Sequence, residues 1–101
     1  MARPEHISNE DIARWDTLID NDTNIPSAIA KNAVVREVCY AGQWLSEELT
    51  KLKCKEEFIV RITYTMGQLS FGRDAWVVAQ SMLDAFKANE LEYEVELSEL
   101  N

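Results

Sequence analysis

Basic side chains are scarce in this sequence, 10 lysines and arginines against 18 aspartates and glutamates in 101 residues, a net charge of −8. A nucleic-acid phosphate backbone is bound by a basic face, so this balance argues against direct DNA or RNA binding. Long apolar runs are missing as well. None approaches the roughly 18 to 20 residues that a membrane span requires, and the opening MARPEH has no apolar core of a signal peptide. The expectation is a cytoplasmic protein without a membrane partner.

Histidine occurs once, at His6, and cysteine twice, at Cys39 and Cys54. No CxxC pair and no zinc-ligand spacing can be assembled from these three, so no metal site is expected. At a helical rise of about 1.5 Å per residue the two cysteines stand about 22 Å apart, too far for a disulfide. Glycine is limited to Gly42, Gly67 and Gly72. The stretch GQLSFG fits neither the G-x-G-x-x-G nor the P-loop pattern, and no cofactor is expected. Asp20 and Asp22 in DNDTN lack the closing glutamate of a calcium loop. No GxSxG and no second histidine are present to support a nucleophile. Solvated glutamates have no reason to shift toward neutral pKa values. The chain therefore reads as non-enzymatic.

What is present is enough apolar material, 47% of the chain, for one core, and the length suits a single domain over residues 1–101 with a flexible start at 1–7. Ser8 and Asp11 form a capping-box pattern ahead of Ile12, Trp15, Leu18 and Ile19, which predicts a helix over 9–20. After the turn-forming run NDTNIPS a second helix should begin at Asn24 or Ser27 and reach Lys53, with Val34, Val35, Val38, Gly42, Leu45, Leu49 and Leu52 as its core stripe. Tyr40 and Trp44 lie roughly 120 to 160° away from that stripe. Either the first helix covers them or they form an exposed aromatic contact site or homodimer seam.

The segment FIVRITYTMGQLSFG fits a helix through Phe58, Ile62, Met66 and Leu69. It also fits a hairpin with Gly67 and Gln68 as a type II′ turn, pairing Met66 with Leu69, Tyr64 with Phe71 and Thr65 with Ser70. The β-branched residues Ile59, Val60, Ile62, Thr63 and Thr65 favour the hairpin. A further helix then carries Ala75, Val78, Ala79, Met82 and Phe86 inward, and LEYEVEL, Leu91 to Leu97, closes the chain as a strand. The expected fold class is α+β: two N-terminal helices followed by a β-β-α-β unit with a three-stranded, mainly antiparallel sheet of order 2-1-3.

Glu92, Glu94 and Glu96 share one side of that closing segment. They read as the wet face of a sheet, as protection of its edge, or as an anionic surface that occupies the nucleic-acid groove of a basic partner. The leading functional expectation is an acidic protein-binding module that inhibits or adapts a partner with a basic surface, with Glu92, Glu94 and Glu96 as the electrostatic patch and Tyr40 and Trp44 as aromatic anchors. The alternative is a homo-oligomeric assembly protein joined through Tyr40 and Trp44.

At the first helix HISNEDIARWDTL resembles the short S-x-x-D-I-x-x-W helical segments of some bacteriophage tail-fibre proteins. The chain has Asp16 where those segments usually carry Asn, and no fibre-like repeats follow. The resemblance points instead toward small phage-encoded accessory proteins, which are often compact acidic α+β domains that inhibit a host machine; it implies an inhibitor, acting in the host cytoplasm as a nucleic-acid mimic.

Overall fold

The computed structural model describes residues 3–88. Among them it contains five helices: α1 (Asn9–Asp20), α2 (Ser27–Ala30), α3 (Ala33–Lys51), α4 (Glu56–Leu69) and α5 (Ala75–Ala88). No strand occurs among the described residues. None of their helices is long and apolar enough to cross a membrane.

The first helix begins where the capping pattern places it. The Ser8 hydroxyl accepts from the Asp11 backbone N–H at 3.1 Å, and the Asp11 carboxylate accepts from the Ser8 N–H at 3.1 Å. Two of the four orphan donors of the helix start are thereby satisfied reciprocally. The residues before it, expected to be flexible, carry contacts to the body: Arg3 pairs with Glu37, the His6 ring lies 5.8 Å from that of Trp44, and Ile7 packs against the core.

The single helix expected from Asn24 or Ser27 to Lys53 is interrupted. Asn32 stops it, because its side-chain oxygen accepts from the N–H groups of Val34 and Val35 at 2.9 and 3.2 Å and so opens α3 as a new helix. Helix α3 is the axis of the molecule, with α1, α2, α4 and α5 all packed on it. Its buried surface is wider than the expected stripe: Leu45 and Leu49 are fully buried, but Ala41, Tyr40 and Trp44 are buried too, whereas Val34 is exposed. A helix covered from several sides buries more than one face. It ends at Lys51 with Leu52 as its cap, after which Lys53 takes a left-handed φ of 61° to turn the chain toward α4.

The expected α+β architecture is overturned where the hairpin of 56–71 was placed: Glu56–Leu69 is α4, and Ser70 and Phe71 begin the turn after it. Of the helical set, Phe58 and Met66 are buried and Ile62 is half-buried, Ile59 is buried beside them, and Leu69 at the last turn is exposed. Gly67 sits inside the helix without a positive φ, so it makes no II′ turn; Gly72, at φ 70°, makes the actual bend into α5. The threonines that favoured a strand are accommodated by back-bonding: the Thr63 hydroxyl donates to the Ile59 carbonyl and the Thr65 hydroxyl to the Arg61 carbonyl, each at 2.9 Å. Burial between α3 and α5 outweighs a β preference that is only a fraction of a kcal/mol to about 1 kcal/mol per residue. The sheet of order 2-1-3 thus loses its first two strands, and the expected closing strand, Leu91 to Leu97, lies outside the described residues.

Helix α5 buries Ala75, Ala79 and Phe86 as expected, together with Trp76 and Leu83. It returns antiparallel to α4, and the Phe58 and Phe86 rings meet at 5.3 Å where the α4 start faces the α5 end.

Candidate docking surface

Tyr40 and Trp44, expected as candidate anchors or a seam, face inward. The reason is an aromatic column running through the molecule. His6, Trp44, Trp76, Trp15 and Tyr40 follow one another with ring centroids 5.8, 6.2, 6.3 and 6.4 Å apart. Helix α1 covers Tyr40 through Trp15, and α5 covers Trp44 through Trp76. Neither ring presents an open face, so neither an exposed contact site nor a homodimer seam is available through them in this fold.

Carboxylates and arginines hold the column in register. Glu37 accepts the Trp76 indole N–H at 2.8 Å and is paired with Arg3; Glu47 accepts the Trp15 indole N–H and an Arg14 guanidinium N–H, each at 2.6 Å. Asp16 accepts from the Tyr40 hydroxyl and from Arg36, which also reaches Asp20 at 3.2 Å. Hydrogen bonds from Tyr40 and then Arg36 hold the Asp16 carboxyl below its ordinary value. Burial alone would push Glu37 up, but hydrogen bonds from Arg3 and Trp76 outweigh it and hold this carboxyl down too. Arg36 is raised far above its ordinary range by Asp16 and then Tyr40, so it stays charged.

Both carboxyls titrate lower in the folded chain than in the unfolded one, so the stability they contribute is present above the ordinary values of 4.5 for Glu37 and 3.8 for Asp16. It is lost as pH falls through the lower folded values. The melting temperature should therefore hold between about pH 7 and 5 and fall steeply below about pH 4.5, and Glu37→Gln should make that fall shallower. Thermal melts followed by circular dichroism across this range check it; an equal slope in the Gln variant would remove Glu37 from the account.

A cleft of about 290 Å³ opens between α1, α3 and α4, with Ile19, Val38, Cys39, Gly42 and Met66 among its lining residues. Burial pushes the Cys39 thiol up, which weakens it as a nucleophile. Among the described residues no group of three or more His, Cys, Asp or Glu could hold a metal ion.

The surface that stands out is the outer side of α4. Val60, Tyr64 and Phe71 are 60%, 67% and 91% exposed. Val60, Tyr64 and Gly67 recur at i, i+4 and i+7 inside a sector of about 60° on the side of α4 opposite the buried one, and Phe71 stands in the turn just past the end of the helix. Gly67 adds no bulk there, and a Cβ placed on it would meet nothing within 4 Å. The hairpin expected here pairs Tyr64 with Phe71 on one face; instead Tyr64 projects from the outer side of α4 and Phe71 stands in the turn that follows, both exposed. Scattered apolar side chains are normal on a surface, but Val60 and Tyr64 are neighbours one turn apart on the same side of α4, with Phe71 open to solvent at the end of that helix, and apolar exposure grouped in this way can serve an interaction site. Glu92, Glu94 and Glu96, the electrostatic part of the expected surface, lie outside the described residues, so the structure does not bring them together with any other candidate. No family model, curated protein or solved structure matches this chain.

Proposed function

We propose that the protein is a small acidic protein-binding module, an inhibitor or adaptor, that seats α4 against an apolar strip on a partner whose surroundings are basic. The observation that carries this reading is the exposure of Val60 and Tyr64 on the outer side of α4 and of Phe71 in the turn just after it, whose ring is 91% open to solvent. Tyr64 and Phe71 take the anchoring role expected of Tyr40 and Trp44, because a rigid ring desolvated at the centre of an interface contributes about 2 kcal/mol or more. The net charge of −8 selects a basic partner and speeds encounter. Glu92, Glu94 and Glu96 concentrate that charge in one segment and are the residues proposed to attract the basic surface, as the phosphates of a nucleic acid would.

A labelled amphipathic peptide of leucines and lysines at helical spacing is a sufficient probe. Its binding by fluorescence anisotropy should weaken at least 10-fold in the Tyr64→Ser/Phe71→Ser double variant, about 1.4 kcal/mol. It should also fall with added salt and in a Glu92→Gln/Glu94→Gln/Glu96→Gln variant. A control peptide with serine in place of leucine should bind no better to the native chain than to the double variant. Equal affinity of the leucine peptide for native chain and double variant would remove the α4 surface from the proposal.

A further inference from the structure

Three arginines surround the aromatic column, and they are not held alike. Arg14 bonds to Asp11 and Glu47, and Arg36 bonds to Asp16, Asp20, the Tyr40 hydroxyl and the Ala30 carbonyl. Arg3 bonds to Glu37 alone among the described residues. It also belongs to no helix, since it stands in the short strap of residues ahead of α1. That strap is fastened further along, by the His6 ring against Trp44 and by Ile7 in the core. The Arg3 side chain is therefore free to swing away without unpacking the residues that anchor its backbone.

The seat it occupies is built independently of it. Arg3 donates from two guanidinium nitrogens to the Glu37 carboxylate, from Nε to Oε1 at 2.9 Å, and its central carbon lies 5.3 Å from the centre of the Tyr40 ring. Glu37 belongs to α3, and its Oε2 is fixed by the Trp76 indole N–H at 2.8 Å. Asp16, which accepts from the Tyr40 hydroxyl, adds its negative charge. A carboxylate next to an aromatic face suits a guanidinium in particular, whose planar fork matches the oxygens and whose flat side lies on the ring; an ammonium offers only a point charge. The Glu37 side chain is 19% exposed and that of Arg3 40%, so the cation is the more accessible half of the pair. Without Arg3, the largely buried carboxylate would keep only the Trp76 N–H as a hydrogen-bond partner among the described residues, an arrangement that favours any replacement cation.

We infer that the seat formed by Glu37 and Tyr40 is an arginine-binding site, filled in cis by Arg3 and open by exchange to an arginine on a segment of another protein. The cis occupant reaches the seat from a peptide strap, which is why the ligand is an arginine within a polypeptide. The site gives the basic partner proposed above a specific contact; that consequence rests on the proposed function, whereas the arginine site does not depend on the outer side of α4.

Arg3→Ser in the full chain empties the seat. Nuclear magnetic resonance should show the Trp76 indole N–H signal displaced in this variant. A blocked Gly-Arg-Gly tripeptide should return the signal toward its native position, saturably, with nuclear Overhauser contacts between the arginine δ-methylene and the Tyr40 ring. The native chain should bind the tripeptide about 10-fold more weakly or worse, because its own arginine competes at the millimolar effective concentration of a short tether. Lysine or uncharged citrulline in place of the tripeptide's arginine, or Glu37→Gln added to the variant, should weaken binding by about 10-fold or more. No response to the arginine tripeptide, or an equal response to the lysine one, overturns the inference. Free arginine bound more tightly than the tripeptide also overturns it, in favour of a small-molecule site. If Arg3→Ser does not fold, the native chain decides: the tripeptide, raised well above the millimolar range, should remove the contacts between Arg3 and the Tyr40 ring, and their persistence overturns the exchange. The leucine–lysine peptide carries no arginine, so its failure to bind would remove the proposed function and leave the arginine site standing.

Discussion

Replacing Trp76 by Ala should lower the free energy of unfolding by about 3 to 5 kcal/mol, a large share of the roughly 5 to 15 kcal/mol that a domain of this size commands. Trp76 is 2% exposed and lies between Trp15 and Trp44 in the aromatic column. Its removal leaves a cavity on the α1–α3–α5 seam and takes from Glu37 the indole N–H that it accepts at 2.8 Å. Arg3 still pairs with Glu37, so the carboxylate is not stranded, and cavity formation dominates the loss. Trp76→Phe keeps most of the ring packing and gives up the charge-assisted hydrogen bond, so about 1 to 2 kcal/mol is expected. Urea unfolding followed by far-UV circular dichroism separates the two. An alanine variant within about 1 kcal/mol of the native chain would mean that the column does not carry the load assigned to it.

Helix α4 gives a second large effect and an opposite, smaller one. Thr65→Pro in the middle of the helix removes a backbone N–H and sets its ring against the preceding turn, costing about 3 kcal/mol or more. Gly67→Ala should instead stabilise the chain by about 0.5 to 1 kcal/mol, since the glycine is helical, its φ is not positive and the new Cβ meets no atom within 4 Å. A type II′ hairpin turn would reverse the second sign, because alanine at its first position is strained. The sign of the Gly67→Ala change therefore distinguishes a helix from a hairpin at 56–71 without further structural work. A destabilised Gly67→Ala would contradict the helix.

The parts of the fold legible in the sequence are those specified locally. Helix α1 was readable because Ser8 and Asp11 define its start and Trp15 and Ile19 its inner side within a few residues. Helix α5 was readable in its general extent, yet Trp76 was overlooked; the spacing Trp76, Ala79, Leu83 and Phe86, at i, i+3, i+7 and i+10, was the available signal. Helix α4 was misread because its short apolar run satisfies both periods, and what decides between them is burial against α3 and α5, which lie far away in sequence. The inward position of Tyr40 and Trp44 was open for the same reason: whether an aromatic side chain is covered depends on what the rest of the chain brings to it. Tyr64 and Phe71 could not have been recognised as an outward pair until the helix was known. Tyr64 is exposed because the helical period turns it away from Phe58, Ile59 and Met66, and Phe71 because the chain has already left the helix there.

All three indoles of this protein belong to the column, and α4 contributes none of them. Light absorbed by any one tryptophan is thus shared among neighbours about 6 Å apart on the α1–α3–α5 side. Their emission is a built-in gauge of whether that half of the bundle is assembled. A molecule arriving on the outer side of α4 leaves the gauge unmoved unless it also pries the helices apart, so the chain reports spectroscopically on its own integrity and stays silent about its company.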